Sequence, residues 1–239
     1  MKTFVQEPLE NQAELGEVKI VRMPLGIIQA NCYIVYREGQ KAAMVVDPGA
    51  EPERIMQKLE ELGLNCELIA LTHRHHDHVG ASAALAKLCK APVVIGLYDS
   101  KAAQDPEQTL LMNYGKSREE ALKYCAPHPE KELVDGEKLI VGSMHFTVME
   151  TPGHTAGGIC LKGEGMLISG DTLFKGSMGR TDLPSGDERA MMRSLYRLAQ
   201  LNPATKVYPG HGQSSTIGEE LQSNQFLRFA ANNDEFAMA

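Results

Sequence analysis

The run Leu71-Thr72-His73-Arg74-His75-His76-Asp77-His78-Val79-Gly80 constrains the fold more than any other stretch, because it crowds metal-capable side chains onto the end of one apolar strand. The preceding residues, CELIALT, read as that strand and end at Thr72. In an extended segment residues two apart point the same way, so His73 and His75 leave the strand end together. The turn into a following helix then brings Asp77 and His78 to the adjacent side. Imidazole and carboxylate suit zinc, iron or manganese, and a site without cysteine is more often catalytic than structural, since structural zinc sites are usually closed by thiolates.

A histidine-rich surface turn is the plain alternative, and it loses weight against three later segments. They are Thr151-Pro152-Gly153-His154-Thr155, Ser169-Gly170-Asp171-Thr172 and Tyr208-Pro209-Gly210-His211-Gly212. Each sets a metal-capable side chain directly after a glycine at the end of a predicted strand, where glycine lets the backbone turn sharply and approach a site closely.

The apolar pattern supplies the elements that carry these segments. VKIVRMPLG, ANCYIVYREGQ and KAAMVVDPGA read as a meander of strands, residues 52–62 as an amphipathic helix opened by Pro52 and closed by Gly63, and GASAALAKLCK as a helix before the short strand PVVIG. Residues 98–131 read as a partly helical excursion rather than a sheet element. Strands resume in GEKLIVG, MHFTVMETPG, GICLKG and GMLISGD, followed by the helix GDERAMMRSLYRLAQL, the strand KVYPG and one helix near 217–232. Two similar α/β halves emerge. Two mixed β-sheets packed face to face with helices on the outer faces would bury both apolar faces of such a chain, an αββα four-layer sandwich. An acidic leader over residues 1–17 and a single domain over 18–239 are expected.

Charge and composition narrow the partners. The 31 Asp and Glu against 24 Lys and Arg give a net charge of −7 with no basic block, which disfavours a nucleic-acid reader. No apolar run approaches the roughly 18 residues that span a bilayer, so no membrane partner is expected, and Glu7, Glu10, Glu14 and Glu17 stand where a secretory signal would need an apolar stretch. Cys32, Cys66, Cys89, Cys125 and Cys160 are odd in number and scattered without a C-x-x-C pair, which fits reduced thiols. A cytoplasmic protein with a small partner is the expectation.

The spacing H-x-H-x-D-H, followed by His154, Asp171 and His211, resembles the signature of the metallo-β-lactamase superfamily from about Val18 onward. The resemblance implies that His73, His75 and His154 hold one metal and Asp77, His78 and His211 a second, with Asp171 bridging them. Two divalent ions, zinc foremost and iron or manganese as alternatives, could share a water and lower its pKa toward neutrality. Neutral imidazoles, two carboxylates, two dications and a hydroxide leave a net positive pocket, so a small anionic substrate is favoured. Asp77 and Asp171 are then the candidate catalytic residues.

Within the superfamily, Gly170 to Asp182 looks like the segment of type II glyoxalases, the hydroxyacylglutathione hydrolases, and of persulfide dioxygenases. Gly179-Arg180-Thr181-Asp182 is the part most clearly similar to the dioxygenases and to the short bacterial glyoxalase II-like hydrolases. That likeness implies cleavage of an anionic thioester such as S-D-lactoylglutathione by metal-bound hydroxide, with Arg180 forking onto a substrate carboxylate. An internal salt bridge of Arg180 with Asp182 or Asp187 is an equal expectation. Only 28 residues follow His211, where larger glyoxalases II carry a long helical region with glutathione contacts, so a different acyl thioester or ester stays open. Tyr114 and Met112, in the long excursion, are candidates to line a substrate lid. His76 is expected beside the site or in solvent, and His128 and His145 at structural or surface positions.

Three other functions compete. A persulfide dioxygenase would bind one iron through His73, His154 and Asp171. A non-catalytic metal-binding domain would need a closed site. A secreted β-lactamase is disfavoured by Asp171, which stands where the main lactamase groups carry cysteine.

Overall fold

A computed structural model describes residues 15–109 and 117–237. The chain opens with β1 (Val18–Leu25), β2 (Ala30–Arg37) and β3 (Ala42–Val46), paired antiparallel in sequence. α1 (Pro52–Leu62) crosses to β4 (Asn65–Leu71), which lies parallel to β3. Next come α2 (His76–Val79), α3 (Ser82–Cys89), β5 (Val93–Gly96), α4 (Leu97–Ala103), α5 (Arg118–Leu122) and β6 (Lys131–Leu133). β4, β5 and β6 pair parallel, so the first sheet runs β1-β2-β3-β4-β5-β6.

The second sheet is built from β7 (Lys138–Val141), β8 (Met144–Glu150), β9 (Ile159–Gly163) and β10 (Met166–Gly170), an antiparallel series. A small hairpin, β11 (Leu173–Phe174) with β12 (Ser177–Met178), precedes α6 (Glu188–Ala199). β13 (Lys206–Pro209) then joins parallel to β10 and β14 (Ser215–Thr216) antiparallel to β13, before α7 (Ile217–Ser223) and α8 (Gln225–Ala231). The order is β14-β13-β10-β9-β8-β7.

Three apolar clusters make four layers of these elements. Tyr33, Val35, Met44 and Val46 point from the first sheet onto Phe146, Val148, Leu161 and Ile168 of the second. The alternate residues Cys32, Ile34, Ala43 and Val45 point outward onto Ile55 and Leu59 of α1 and Leu85 of α3. Cys160, Leu167 and Val207 face Met191, Leu195 and Leu198 of α6 and Leu227 of α8. Both faces of the central strands are covered, which is why they read as nearly continuous apolar runs. The αββα sandwich of two mixed sheets expected from the sequence is the fold observed.

Local signals account for the helices. Pro52 opens α1, and Gly63, in the left-handed region at φ 66°, closes it by donating to the carbonyls of Glu60 and Leu59. Asp187 caps α6 by accepting from the Ala190 amide. Thr216 and Glu219 form a reciprocal capping box at α7. The single helix expected near 217–232 is two: Asn224, at φ −82° and ψ 112°, breaks it and accepts from the amides of Phe226 and Leu227 to start α8. The excursion expected to hold no sheet element ends by joining the first sheet, with Val94 opposite Lys131. Three residues on a sheet edge carry too little periodicity to be read as a strand.

β3 and β4 run parallel in the first sheet, and β8, β10 and β13 run alike in the second, since β8 and β10 are each antiparallel to β9 and β13 is parallel to β10. Their ends share one rim, where Gly170 lies against Thr72. Residues that follow strands of both sheets therefore meet there.

Candidate metal centre

β4 delivers Thr72 to this rim, where Asp47 at the end of β3 takes it up. The Thr72 amide donates to Asp47 Oδ1 at 2.8 Å and its hydroxyl to Oδ2 at 2.7 Å. His73 and His75 follow in an extended stretch, with His75 at φ −65° and ψ 145°, and α2 begins at His76. Asp77 and His78 thus come from the first helical turn. This is the division between extended segment and turn that the spacing predicts.

From the other sheet, His154 follows β8, Asp171 follows β10 and His211 follows β13. Gly170 sits at φ +47°, where a Cβ would lie 2.5 Å from the Thr72 hydroxyl oxygen. A Cβ on Gly210 would lie 2.1 Å from Asp171 Oδ1 and 2.7 Å from His78 Cε1. The glycines before Asp171 and His211 are there because the backbone itself forms the floor of the site.

The seven expected residues converge. His73, His75 and His154 form one group of donor atoms and Asp77, His78 and His211 another, each with its atoms within 4.8 Å of one another. His75 Nδ1 lies 2.8 Å from His154 Nε2, and His78 Nε2 lies 3.4 Å from His211 Nε2. Asp171 stands between the groups, with Oδ2 3.4 Å from His154 Nε2 and 3.6 Å from His211 Nε2, and Oδ1 3.5 Å from His78 Nε2. Asp77 Oδ2 is 3.2 Å from His211 Nε2.

Outer hydrogen bonds fix which nitrogen of each ring faces inward. His154 Nδ1 donates to the Arg180 carbonyl at 2.7 Å, and His78 Nδ1 donates to Asp47 Oδ2 at 2.9 Å. The Thr72 hydroxyl, already donating to Asp47, is 3.1 Å from His73 Nδ1 and accepts from it. All three rings therefore turn Nε2 toward the centre, where a cation would take the place of any proton held there. His73 Nε2 and Asp171 Oδ1 are buried with no hydrogen-bond partner. Ring nitrogens facing one another, with orphaned buried acceptors beside them, fit divalent cations.

The electrostatics agree. Burial pushes the His73 pKa well below the usual imidazole range, and the neighbouring rings push it further. Burial, then His154, brings His75 down to about 2, so both stay neutral and ready to ligate. Burial opposes charge on His78 and on Asp77, but their partners win: Asp171, Asp77 and Asp47 raise His78 to about 10, while His78 and His211 hold Asp77 below the carboxylate range. The centre carries a surplus of carboxylate that a cation can neutralise.

The rim opens into a cleft of about 660 Å³, walled by Ile28, Phe174, Met178, Arg180 and Leu183. The exposed Arg180 guanidinium forks onto Asp182 with two 2.7 Å bonds. This is the internal salt bridge expected as an alternative to substrate binding, whereas Asp187 is the α6 cap. Tyr114 and Met112 lie outside the described residues. His76 is not in open solvent: it starts α2, half-buried, and its ring borders the cleft. His128 and His145 are exposed.

Two residues of the site were missed. Asp47 orders both Thr72 and His78, and its signal was an acid directly after an apolar strand and before the turn Pro48-Gly49, without the preceding glycine that marked Asp171. Asn31 brackets His211: its amide donates to the Gly210 carbonyl at 2.7 Å and its side chain to those of Pro209 and Gly212 at 2.9 and 3.0 Å. No local signal announces that contact across 178 positions of sequence.

Comparison with known proteins adds to this geometry. A profile of the metallo-beta-lactamase superfamily matches residues 25–211. The hydroxyacylglutathione hydrolase GloC of Haemophilus influenzae is 34% identical over 214 residues, which cover 86% of this chain and 96% of that protein. The crystal structure of the B3 metallo-beta-lactamase BLEG-1 superposes with a TM-score of 0.81 at 33% identity, covering 87% of this chain and 99% of that one. TTHA1623 in a di-iron-bound form superposes with a TM-score of 0.71 at 34% identity, covering 86% and 99%.

Proposed function

The chain belongs to the metallo-β-lactamase superfamily, and from that premise we propose that it is a dinuclear metal-dependent hydrolase acting on a small anionic thioester, such as an S-acylated glutathione. The observation that carries the reading is the pair of donor groups on either side of Asp171, with Nε2 of His73, His78 and His154 aimed inward by outer hydrogen bonds. His73, His75 and His154 would hold one ion and Asp77, His78 and His211 the other, with Asp171 between them. Two divalent ions there, zinc foremost and iron or manganese as alternatives, would lower the pKa of a shared water and polarise the electrophile's carbonyl oxygen.

The protein's own groups do the rest. Asp77, already 3.2 Å from His211 Nε2, orients the attacking water from the α2 side. Arg180 at the mouth supplies a fork for a substrate carboxylate, which has to compete with Asp182 for it. Phe174 and Met178 in the β11–β12 hairpin give the acyl or thiol arm an apolar wall. The identity to GloC supports a thioester. The scattered cysteines suit a reducing cytoplasm, and no helix among the described residues is long and apolar enough to cross a membrane.

The likeness to BLEG-1 favours a β-lactam as the second substrate to assay, since it too presents an acyl carbon beside a carboxylate. A persulfide dioxygenase with one iron on His73, His154 and Asp171 would leave His78 and His211 without a task. Their 3.4 Å approach and the Asp47 bond that orients His78 favour the pair. Metal analysis with parallel assays of thioester hydrolysis, β-lactam hydrolysis and persulfide-dependent oxygen uptake tests the proposal. Two ions per chain with thioester turnover is expected. One iron with oxygen uptake, or two ions with no turnover of any ester, thioester or lactam, would overturn it.

A further inference from the structure

Asp99 touches none of the seven ligands, yet it is bonded to the chain segments that carry three of them. It lies in α4, fully buried. Its Oδ2 accepts the backbone amide of Arg74 at 3.0 Å and the hydroxyl of Thr155 at 2.7 Å, and its Oδ1 accepts the amide of Gly157 at 3.0 Å. Arg74 is the residue between His73 and His75, and Thr155 is the residue after His154. One carboxylate thus ties a loop of the first sheet to a loop of the second at the place where His75 Nδ1 and His154 Nε2 approach to 2.8 Å. Its charge is balanced by the buried Arg74 guanidinium, whose Nη1 is 4.0 Å away. That guanidinium in turn donates to the Gln108 carbonyl and the Ser185 hydroxyl.

We infer that Asp99 is a positioning residue for the His73, His75 and His154 metal site, acting through the backbone of Arg74 and the side chain of Thr155. The inference rests on the metal-pair reading above. Every hydrogen bond of Asp99 is accepted from a donor, and both of its oxygens are engaged. A carboxamide in its place must turn an NH₂ toward one of those donors, and the two loops then separate. The other trio has its own supports, Asp47 for His78 and Asn31 for His211, and none of them contacts Asp99. The effect of losing Asp99 is therefore confined to one site.

The test is zinc titration of the metal-free protein against a chromophoric chelator, with anomalous diffraction to locate the ions. In Asp99→Asn one of the two affinities falls about ten- to a hundredfold, the other stays within about twofold of wild type, and the retained ion lies at Asp77, His78 and His211. Thr155→Val, which removes only the hydroxyl, gives a smaller loss at the same site and answers the question if Asp99→Asn does not fold. Unchanged affinities in the variants that fold would overturn the inference. So would equal losses at both sites accompanied by a lower thermal midpoint of the metal-free protein, which would make Asp99 a general support of the fold. A wild-type chain that binds no ion would instead defeat the metal-pair reading itself.

Discussion

His154 donates from Nδ1 to the main-chain carbonyl of Arg180 at 2.7 Å, so Arg180 orients a ligand through its backbone while its guanidinium is engaged by Asp182. The two roles separate on mutation. Arg180→Ala keeps the carbonyl, so metal content and folding should be unchanged and the loss should appear as a several-fold rise in KM, the mark of lost binding shared by ground and transition states. Asp171→Ala removes the group between the two trios and should cost far more activity, together with bound metal. An Arg180→Ala protein that loses its metal would show that the side chain, rather than the carbonyl, holds this wall together.

Asp47→Ala tests the support beneath His78. The change strips the partner from His78 Nδ1 and from the Thr72 amide and hydroxyl, all buried. Metal affinity should fall about ten- to a hundredfold, and stability by roughly 1–3 kcal/mol for buried donors left unpaired. Chelator competition and a denaturant melt measure the two effects. Wild-type affinity in this variant would mean that His78 is aligned by packing alone.

How far the sequence carried can be judged from such residues. The ligands were legible because their spacing is local: strand, extended pair and helical turn place His73, His75, Asp77 and His78 within six residues. α1 was legible because Pro52 and Gly63 mark both of its ends. Asn31 and Asp99 act by contacts far apart in sequence, and a side chain that caps a distant backbone leaves no period or punctuation behind. The break at Asn224 was hidden for a related reason, since a carboxamide rather than a glycine or proline ends one helix and starts the next.

Gly210→Ala asks whether the close approach of the backbone is required. The added methyl would meet Asp171 Oδ1 at 2.1 Å and His78 Cε1 at 2.7 Å, with Gly170 backbone behind them. The expected result is a folded protein destabilised by about 1–3 kcal/mol with both ions weakened, since both trios border Asp171. Metal stoichiometry after gel filtration reads this out, and full retention of two ions would show that the loop yields without cost to the site.

The last prediction concerns the nucleophile. A covalent acyl-enzyme needs an activated side chain, and the thiols are poor candidates. Cys32 and Cys160 are fully buried, and burial raises both, Cys160 to about 11, so at neutral pH each stays a protonated, unreactive thiol. Cys66 is also raised, through its contact with Cys89 and then by burial; the same contact lowers Cys89, which packs against Met56 at the end of α3. None of these four borders the cleft. No Gly-x-Ser-x-Gly elbow occurs in the chain either. On the proposed reading, water delivered at the metal centre would be the attacking group, and three measurements follow from that. A strong chelator should abolish activity and added metal restore it, alkylation of accessible thiols should leave activity intact, and hydrolysis in ¹⁸O-water should place the label in the carboxylic acid product. Mass spectrometry that trapped an acylated side chain during turnover would refute direct attack by water, whatever the metal content proved to be.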